Sequence, residues 1–237
     1  IYEAINGLNN TSEFKFISSR LALVRYSRSN SATNYFSSIC DVRIIWGGDE
    51  TISNVRENKL PPRSFDLTFS DRYSLCLINA NKILEEKSLD KLVQAFYNDT
   101  YLFDQNACTA PHLLIWLGSK NDVDKAKIIF WESLYEFIKL KYIVQPVIAV
   151  DKLTSFYNQS VHMNQVKKTA TPDNLIWRVD LNDLPKNIDE FRCNSGYFSE
   201  YHASSISEIK NIVDSKYQTL SYYGISKVDL NNFIINE

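Results

Sequence analysis

The sequence is short of glycine and proline, with six of each in 237 residues, which excludes collagen-like and low-complexity chains. Long apolar runs are missing too. The longest, 113–117 and 147–150, are far too short to cross a bilayer as a helix. Clustered basic charge is also absent: 26 Lys and Arg are scattered among 28 Asp and Glu, for a net charge of −2. That balance excludes the basic footprint of a nucleic-acid binder. No CxxC pair occurs among Cys40, Cys76, Cys108 and Cys193, and His112, His162 and His202 stand at no ligand spacing. Neither a zinc site nor a disulfide framework is therefore expected. Three of the thiols sit in apolar, strand-like contexts and read as reduced and packed, in a cytosolic protein. No initiator Met precedes Ile1 and no charged-then-apolar signal segment follows it, so the chain is expected to be a piece of a longer protein.

What is present is an ordinary globular chain, 44% hydrophobic and long enough for one large domain or two smaller ones. Residues 1–8 read as the end of a helix. A strand is expected over 21–26, then a helix from the N-cap candidate Asn30 to Ile39. Residues 41–46 are apolar enough for a buried parallel strand and run into Gly47-Gly48, with a helix after it to Arg56. Strand, helix, strand, glycine turn, helix is α/β architecture, in which ligands collect at the carboxyl ends of strands. Two glycines let a backbone approach a phosphate, and the free N–H groups of the next helix point towards it. Asp49 and Glu50 suit the helix dipole but repel a phosphate, so a plain tight turn remains open.

Pro61-Pro62 breaks the chain, and a domain boundary is placed at 72/73, after a strand over 64–69. A second strand spans 74–80. Ser88 is expected to cap an amphipathic helix with Leu89, Leu92, Val93, Phe96 and Tyr97 on one face. After a buried strand at 113–117, the longest helix covers 121–142, with Ile128, Ile129, Trp131, Leu134, Phe137 and Ile138 as its core face. Another helix follows over 147–163, a loop over 169–174 and a strand over 175–181. An irregular aromatic stretch at 191–201 surrounds Gly196. A capping box at Ser205-Ile206-Ser207-Glu208 opens a helix to Val213; a strand at 219–223 and a helix at 228–235 end the chain.

Between the helix ending near Phe103 and the strand at 113–117 lies Asp104-Gln105-Asn106-Ala107-Cys108-Thr109-Ala110-Pro111. A cysteine at a helix-to-strand junction, wrapped in small and amide residues, is placed where a thiolate can meet a substrate. Backbone N–H groups of such a turn stabilise negative charge. An inert, buried thiol is the other reading of the same residues.

Three stretches together resemble one family: Ile44-Ile45-Trp46-Gly47-Gly48-Asp49-Glu50-Thr51-Ile52-Ser53-Asn54-Val55-Arg56, Asp71-Arg72-Tyr73-Ser74 and the Cys108 segment. They resemble the LuxC-type acyl-CoA reductases, a branch of the aldehyde dehydrogenase superfamily that includes the fatty acid reductase of bacterial luminescence. The resemblance runs on through Lys216-Tyr217-Gln218-Thr219-Leu220. It implies the end of a Rossmann-type cofactor domain over 1–72, followed by an α/β/α catalytic domain over 73–237. Trp46, Gly47, Gly48 and Asp49 would then contact NADPH. Cys108, sixty residues beyond Gly48, would be the nucleophile, with Gln105, Asn106 and the Cys108 amide around the reacting carbonyl. The substrate implied is a fatty acyl-CoA or an acyl-protein thioester, reduced to the aldehyde through an S-acyl cysteine. The partners implied are an acyl-protein synthetase and further copies of the chain in a homo-oligomer.

This chain departs from the superfamily in two ways. The stretch matching the superfamily's water-activating glutamate, 68–74, holds no glutamate, which suits an enzyme that must keep its thioester until hydride arrives; Asp71 and Arg72 there are expected in a structural ion pair. The resemblance also begins inside the family's sequence, so the first half of the dinucleotide fold and an oxyanion amide would lie upstream, and activity is not expected of the fragment alone. Two other classes remain open: a cysteine acyltransferase or thioesterase, with His112 as its base, and a non-catalytic interaction domain presenting the aromatic stretch at 191–201.

Overall fold

Burial divides the chain before any element does. The computed structural model describes residues 2–27 and 31–236, and these fall into two compact units, Ile1–Ser70 and Asp71–Glu237. The chain is α/β in class, as expected.

The first unit contains α1 (Tyr2–Asn9), α2 (Lys15–Ser18), α3 (Ala32–Ile39), β1 (Val42–Trp46), α4 (Asp49–Arg56) and β2 (Phe65–Phe69). Strands β1 and β2 pair in parallel, from Val42 opposite Phe65 to Trp46 opposite Phe69. One face of this ribbon is closed by Arg43. Its guanidinium holds Asp66 through two bonds of 2.6 and 2.8 Å and also reaches Ser37 Oγ and the carbonyls of Val55 and Asn58. A bidentate pair with three further acceptors fixes an arginine in one geometry, and here it ties α3, α4 and the strands together. Next to Arg43, the Asp66 carboxyl is held below its ordinary value. The other face carries Val42, Ile44, Trp46, Phe65, Leu67 and Phe69, all exposed. The expectation that β1 is buried therefore fails: the strand is parallel, but one of its faces is open. Residues 21–26, expected as a strand, carry no regular structure, because the described sheet of this unit ends at two strands and offers them no ladder. Asn30 lies outside the described residues; the residue preceding α3 is Ser31, which makes no capping bond.

The second unit is built on a six-stranded sheet in the order β5-β6-β7-β4-β3-β8. The strands are β3 (Tyr73–Asn79), β4 (Leu113–Leu117), β5 (Lys167–Ala170), β6 (Trp177–Leu181), β7 (Tyr197–Ala203) and β8 (Tyr217–Tyr223). All neighbours are parallel except the edge pair β5–β6. Every residue of β4 is buried, which is why its sequence is a continuous apolar run rather than an alternating one. Alternate side chains feed two cores. Cys76, Ile78, Leu114 and Trp116 pack against α5 (Ala80–Glu85), α6 (Asp90–Asp99) and α7 (Lys120–Ile138). Leu75, Leu77, Leu113 and Ile115 face the other layer, with Phe156 of α8 (Pro146–His162) and Leu230 of α9 (Lys227–Asn236). The result is a helix–sheet–helix sandwich, in which each fully buried side chain such as Leu113 contributes about 1.5–3 kcal/mol.

Several expectations change here. The buried face of α7 is Val123, Ala126, Lys127, Phe130, Trp131, Leu134 and Ile138, whereas Ile128 and Ile129 are exposed. Helix α6 begins at Asp90, and Ser88 Oγ accepts from the Asp90 N–H at 3.2 Å. Residues 167–170, partly assigned to a loop, form the edge strand β5. The aromatic stretch at 191–201 is irregular only over 191–196; from Tyr197 it is β7, an interior strand, and Tyr197 and Phe198 are core. Gly196, at φ +91°, precedes it; a Cβ there would lie 2.3 Å from the Leu175 carbonyl oxygen and 2.4 Å from the Tyr101 hydroxyl. That crowding is why the turn before β7 needs glycine. The helix expected from Ser205 is a 3-10 turn, Ile206–Asn211, and Glu208 Oε1 accepts from the Ser204 and Ser205 amides.

Candidate active site

The segment around Cys108 leaves α6 through a single 3-10 turn, Tyr101–Phe103. Asp104 and Gln105 then take φ of +52° and +59°. Two successive left-handed residues reverse the chain, at a strain of about 1–3 kcal/mol each, and something must hold them. The Gln105 side chain does so. Buried at 1% exposure, its Oε1 accepts from the Gly196 and Tyr197 amides at 2.9 and 3.1 Å. Its Nε2 donates to the Pro111 and Tyr197 carbonyls, both at 3.0 Å. All four of its hydrogen-bonding positions are thus used inside the protein. Gln105 braces the loop against β7, with its carboxamide fully engaged by backbone groups. Asn106, by contrast, is exposed, and its Oδ1 accepts from Asn194 at 3.3 Å.

Cys108 itself is exposed at the tip, and Ala110 N–H to the Ala107 carbonyl closes the turn beneath it at 2.9 Å. Its carbonyl accepts from Ser74 Oγ at 2.7 Å. Its sulfur accepts from Nε2 of Gln218 at 3.2 Å. Among the described residues no acceptor pairs with the Cys108 N–H. The other thiols differ. Cys76 is buried, and loss of solvent pushes its thiol up to about 12. Cys40 and Cys193 are partly buried, and neither lies inside a strand as expected.

His112 lies four residues beyond the sulfur in sequence, yet its ring is stacked on Tyr73 at 5.8 Å and its Nδ1 meets the Cys193 carbonyl at 3.1 Å. A carbonyl accepts only, so Nδ1 carries the proton. Burial, with the Arg192 charge adding to it, lowers the imidazole to about 4, so the ring is neutral near pH 7. Asp71 does not pair with Arg72. Its partners are Arg192 at 2.5 Å and Lys216 at 3.4 Å, and these cations hold the carboxyl below its ordinary value against the pull of burial. Arg72 instead donates to the Ser215 carbonyl at 2.7 Å.

In the first unit, β1 ends at Trp46, whose exposed ring stacks on Phe69 at 4.7 Å. A Cβ on Gly47 would lie 2.9 Å from Thr51 Cγ2, while one on Gly48 would meet nothing within 4 Å. Gly48 precedes α4, no side chain caps the helix, and Asp49 stands exposed in its first turn beside Glu50. Open space over uncapped N–H groups fits a phosphate, while the two carboxylates oppose one.

The positions contributed by distant segments were not legible in the sequence. Gln218 is 110 residues from Cys108, and Ser74, Arg192 and Asn194 are equally scattered. Gln218 and Ser74 each had a place in a family-like stretch as their one signal. Among the described residues no group of three His, Cys, Asp or Glu is arranged to hold a metal ion, and no helix is long and apolar enough to cross a membrane.

Comparison with known proteins adds three findings. No curated protein matches the chain. Among solved structures, an NADP-dependent enzyme of Escherichia coli superposes with a TM-score of 0.61 at 11% identity, over 89% of this chain and 46% of that one. Aldehyde dehydrogenase 21 of Physcomitrella patens, in complex with the reaction product succinate, gives 0.60 at 10% identity, over 89% and 45%. An aldehyde dehydrogenase of Brucella melitensis biovar abortus 2308 gives 0.58 at 11%, over 86% and 45%. The chain thus spans less than half the length of these structures, and identities this low establish a shared fold. The model of the acyl-CoA reductase (LuxC) family matches residues 1–166, which carry the glycine turn, Ser74 and the Cys108 loop. This chain, aldehyde dehydrogenase-like in fold, belongs to the LuxC family of acyl-CoA reductases.

Proposed function

We propose that the protein reduces fatty acyl thioesters, as acyl-CoA or acyl-protein, to aldehydes through an S-acyl intermediate on Cys108, with NADPH as reductant. The observation that carries this reading is the exposed Cys108 sulfur, on a braced turn with an amide N–H at hydrogen-bond distance. Its thiolate attacks the acyl carbon; a sulfur–carbon bond forms and the donor's thiolate leaves. The N–H of Cys108, with no acceptor among the described residues, would stand beside an acyl carbon bonded to the sulfur and suits the oxyanion, a role worth about 3–4 kcal/mol in other acyl-transfer sites. No strong base is needed for that step, because thiolate attack on a thioester exchanges one good leaving group for another. Two groups that could activate water are committed elsewhere: Asp71 pairs with Arg192 and Lys216, and His112 is neutral and bonded to the Cys193 carbonyl. These commitments favour a long-lived acyl-enzyme over the thioesterase reading. Burial of Tyr197 and Phe198 disfavours the aromatic stretch as a contact surface.

When bound, the nicotinamide cofactor supplies a hydride to the acyl carbon. Trp46, Gly47, Gly48 and Asp49 are the residues assigned to hold it; the open space at Gly48 and the uncapped start of α4 support that assignment. Four free thiols fit a reducing, cytoplasmic setting. An acyl-protein synthetase partner and a homo-oligomer belong to the same proposal, carried by family membership.

The experiment is labelling of the full-length protein with radioactive acyl-CoA, with and without NADPH. Label should accumulate on the Cys108 peptide without NADPH and leave as aldehyde when NADPH is added and consumed. Undiminished labelling of a Cys108→Ser variant would end the assignment of the nucleophile. Release of free acid without NADPH consumption would replace the reductase by a thioesterase.

A further inference from the structure

We propose that Gln218 is a second catalytic residue, the hydrogen-bond donor that holds the Cys108 sulfur as thiolate before acylation and receives it as leaving group when the aldehyde departs. This rests on the reading of Cys108 as nucleophile. It adds a residue from β8, which lies outside the 1–166 segment matched by the family model.

The register of β8 on β3 places the side chain. Tyr73 is opposite Tyr217, but the next pair is Ser74 with Thr219, so Gln218 is the extra residue of a bulge. Bulges re-aim a side chain that regular alternation would send elsewhere, and they concentrate beside active sites. Here the bulge sends Nε2 to 3.2 Å from Cys108 Sγ. At the same bulge, Ser74, which pairs with Thr219, holds the Cys108 carbonyl through its Oγ at 2.7 Å. One point of the β3–β8 pair therefore grips both ends of the cysteine, backbone and sulfur.

The flanks of the bulge are anchored. Tyr217 packs edge-on against Tyr73 at 5.2 Å, the Lys216 carbonyl accepts from the Tyr73 amide at 3.0 Å, and Lys216 Nζ meets Asp189 at 2.6 Å and Asp71 at 3.4 Å. Arg192 completes this cluster on Asp71, while Arg72 is held by the Ser215 carbonyl at 2.7 Å. His112 is neutral. The donor aimed at the sulfur is thus an uncharged amide. That suits both steps: an N–H bond favours sulfur when it is negative and lets go when it becomes a neutral thioester. In the attack, the sulfur pair forms the bond to the acyl carbon; in the collapse, that bond breaks and the pair returns to sulfur, where the same N–H meets it.

The test is S-alkylation of Cys108 by iodoacetamide, followed by mass spectrometry of its peptide, in the native chain and in Gln218→Met and Gln218→Glu. Met keeps the shape of the side chain without its N–H groups; Glu sets a negative charge against sulfur. At pH 7, Gln218→Met should slow alkylation about five-fold and Gln218→Glu about ten-fold or more, the sizes expected for losing a charge-assisted bond at an exposed site. At pH 10 the three rates should converge. Equal rates at pH 7, or slowing by one constant factor at both pH values, would overturn the proposal. Acyl labelling is scored separately: if the native protein takes no acyl group at Cys108, the reductase reading fails while the alkylation rates still judge Gln218.

Discussion

Replacing Gln105 tests the distinction between a residue that touches substrate and one that shapes the loop. In the structure its carboxamide satisfies four buried backbone groups: the N–H of Gly196, the N–H and C=O of Tyr197, and the C=O of Pro111. Gln105→Leu removes every partner at nearly constant volume. Each group left unpaired costs about 1–3 kcal/mol, and the exposed neighbours Asn106 and Cys108 let water re-pair some of them. The net loss expected is about 3–5 kcal/mol, a large share of the stability of an ordinary domain. Gln105→Glu is the sharper variant. It keeps an acceptor for the two N–H groups but sets an anion against two carbonyl oxygens now 3.0 Å from Nε2. It should therefore lose as much as the leucine variant at pH 7 and recover in part at pH 5, when the carboxyl takes up a proton. Urea denaturation followed by far-ultraviolet circular dichroism reads both variants through their midpoints. A loss below about 1 kcal/mol in Gln105→Leu, together with abolished acylation of Cys108, would refute the structural assignment and return Gln105 to the reacting carbonyl.

Two further predictions concern buried charge. His112 is held near 4 when folded against an ordinary 6.5, so the unfolded chain binds its proton first as pH falls. Its contribution is intact above pH 6.5 and drains away down to pH 4, by about 3 kcal/mol in total. A His112→Gln variant should flatten the stability profile in that window, and parallel profiles would refute the assignment. Glu200, fully buried, takes the indole N–H groups of Trp116 and Trp131 on Oε1, both at 2.8 Å, and Arg178 on Oε2 at 2.8 Å. Glu200→Gln turns an amide towards Arg178 and Lys127 and should cost about 2–4 kcal/mol in denaturant melts followed by tryptophan emission. A change below about 1 kcal/mol would mean that Asp180, which also pairs with Lys127, compensates.

Local chemistry made much of this protein legible from its residues. The run at 113–117 could only be an interior strand, the glycine pair could only be a turn into a helix, and Cys108 fell where a helix gives way to a strand. Misreadings came where a pattern was right but its neighbours were unknown. Residues 21–26 have strand composition and no ladder to join. Residues 197–201 looked irregular, like 191–196 before them, because β7 is largely buried and its glutamate pairs inside the core, which masks any alternation. Asp71 was paired with its sequence neighbour, whereas its cations come from residues 192 and 216.

By itself the sequence determined the α/β class, the family and the nucleophile candidate, because these rest on residue types within a few positions of one another. Tertiary structure alone decided which groups surround the sulfur. Gln105 turned inward, His112 was neutralised by burial, and a one-residue bulge in β8 brought Gln218 from 110 positions away. Hydrogen bonds act over about 3 Å, and only the folded sheet determines which residues lie within that reach.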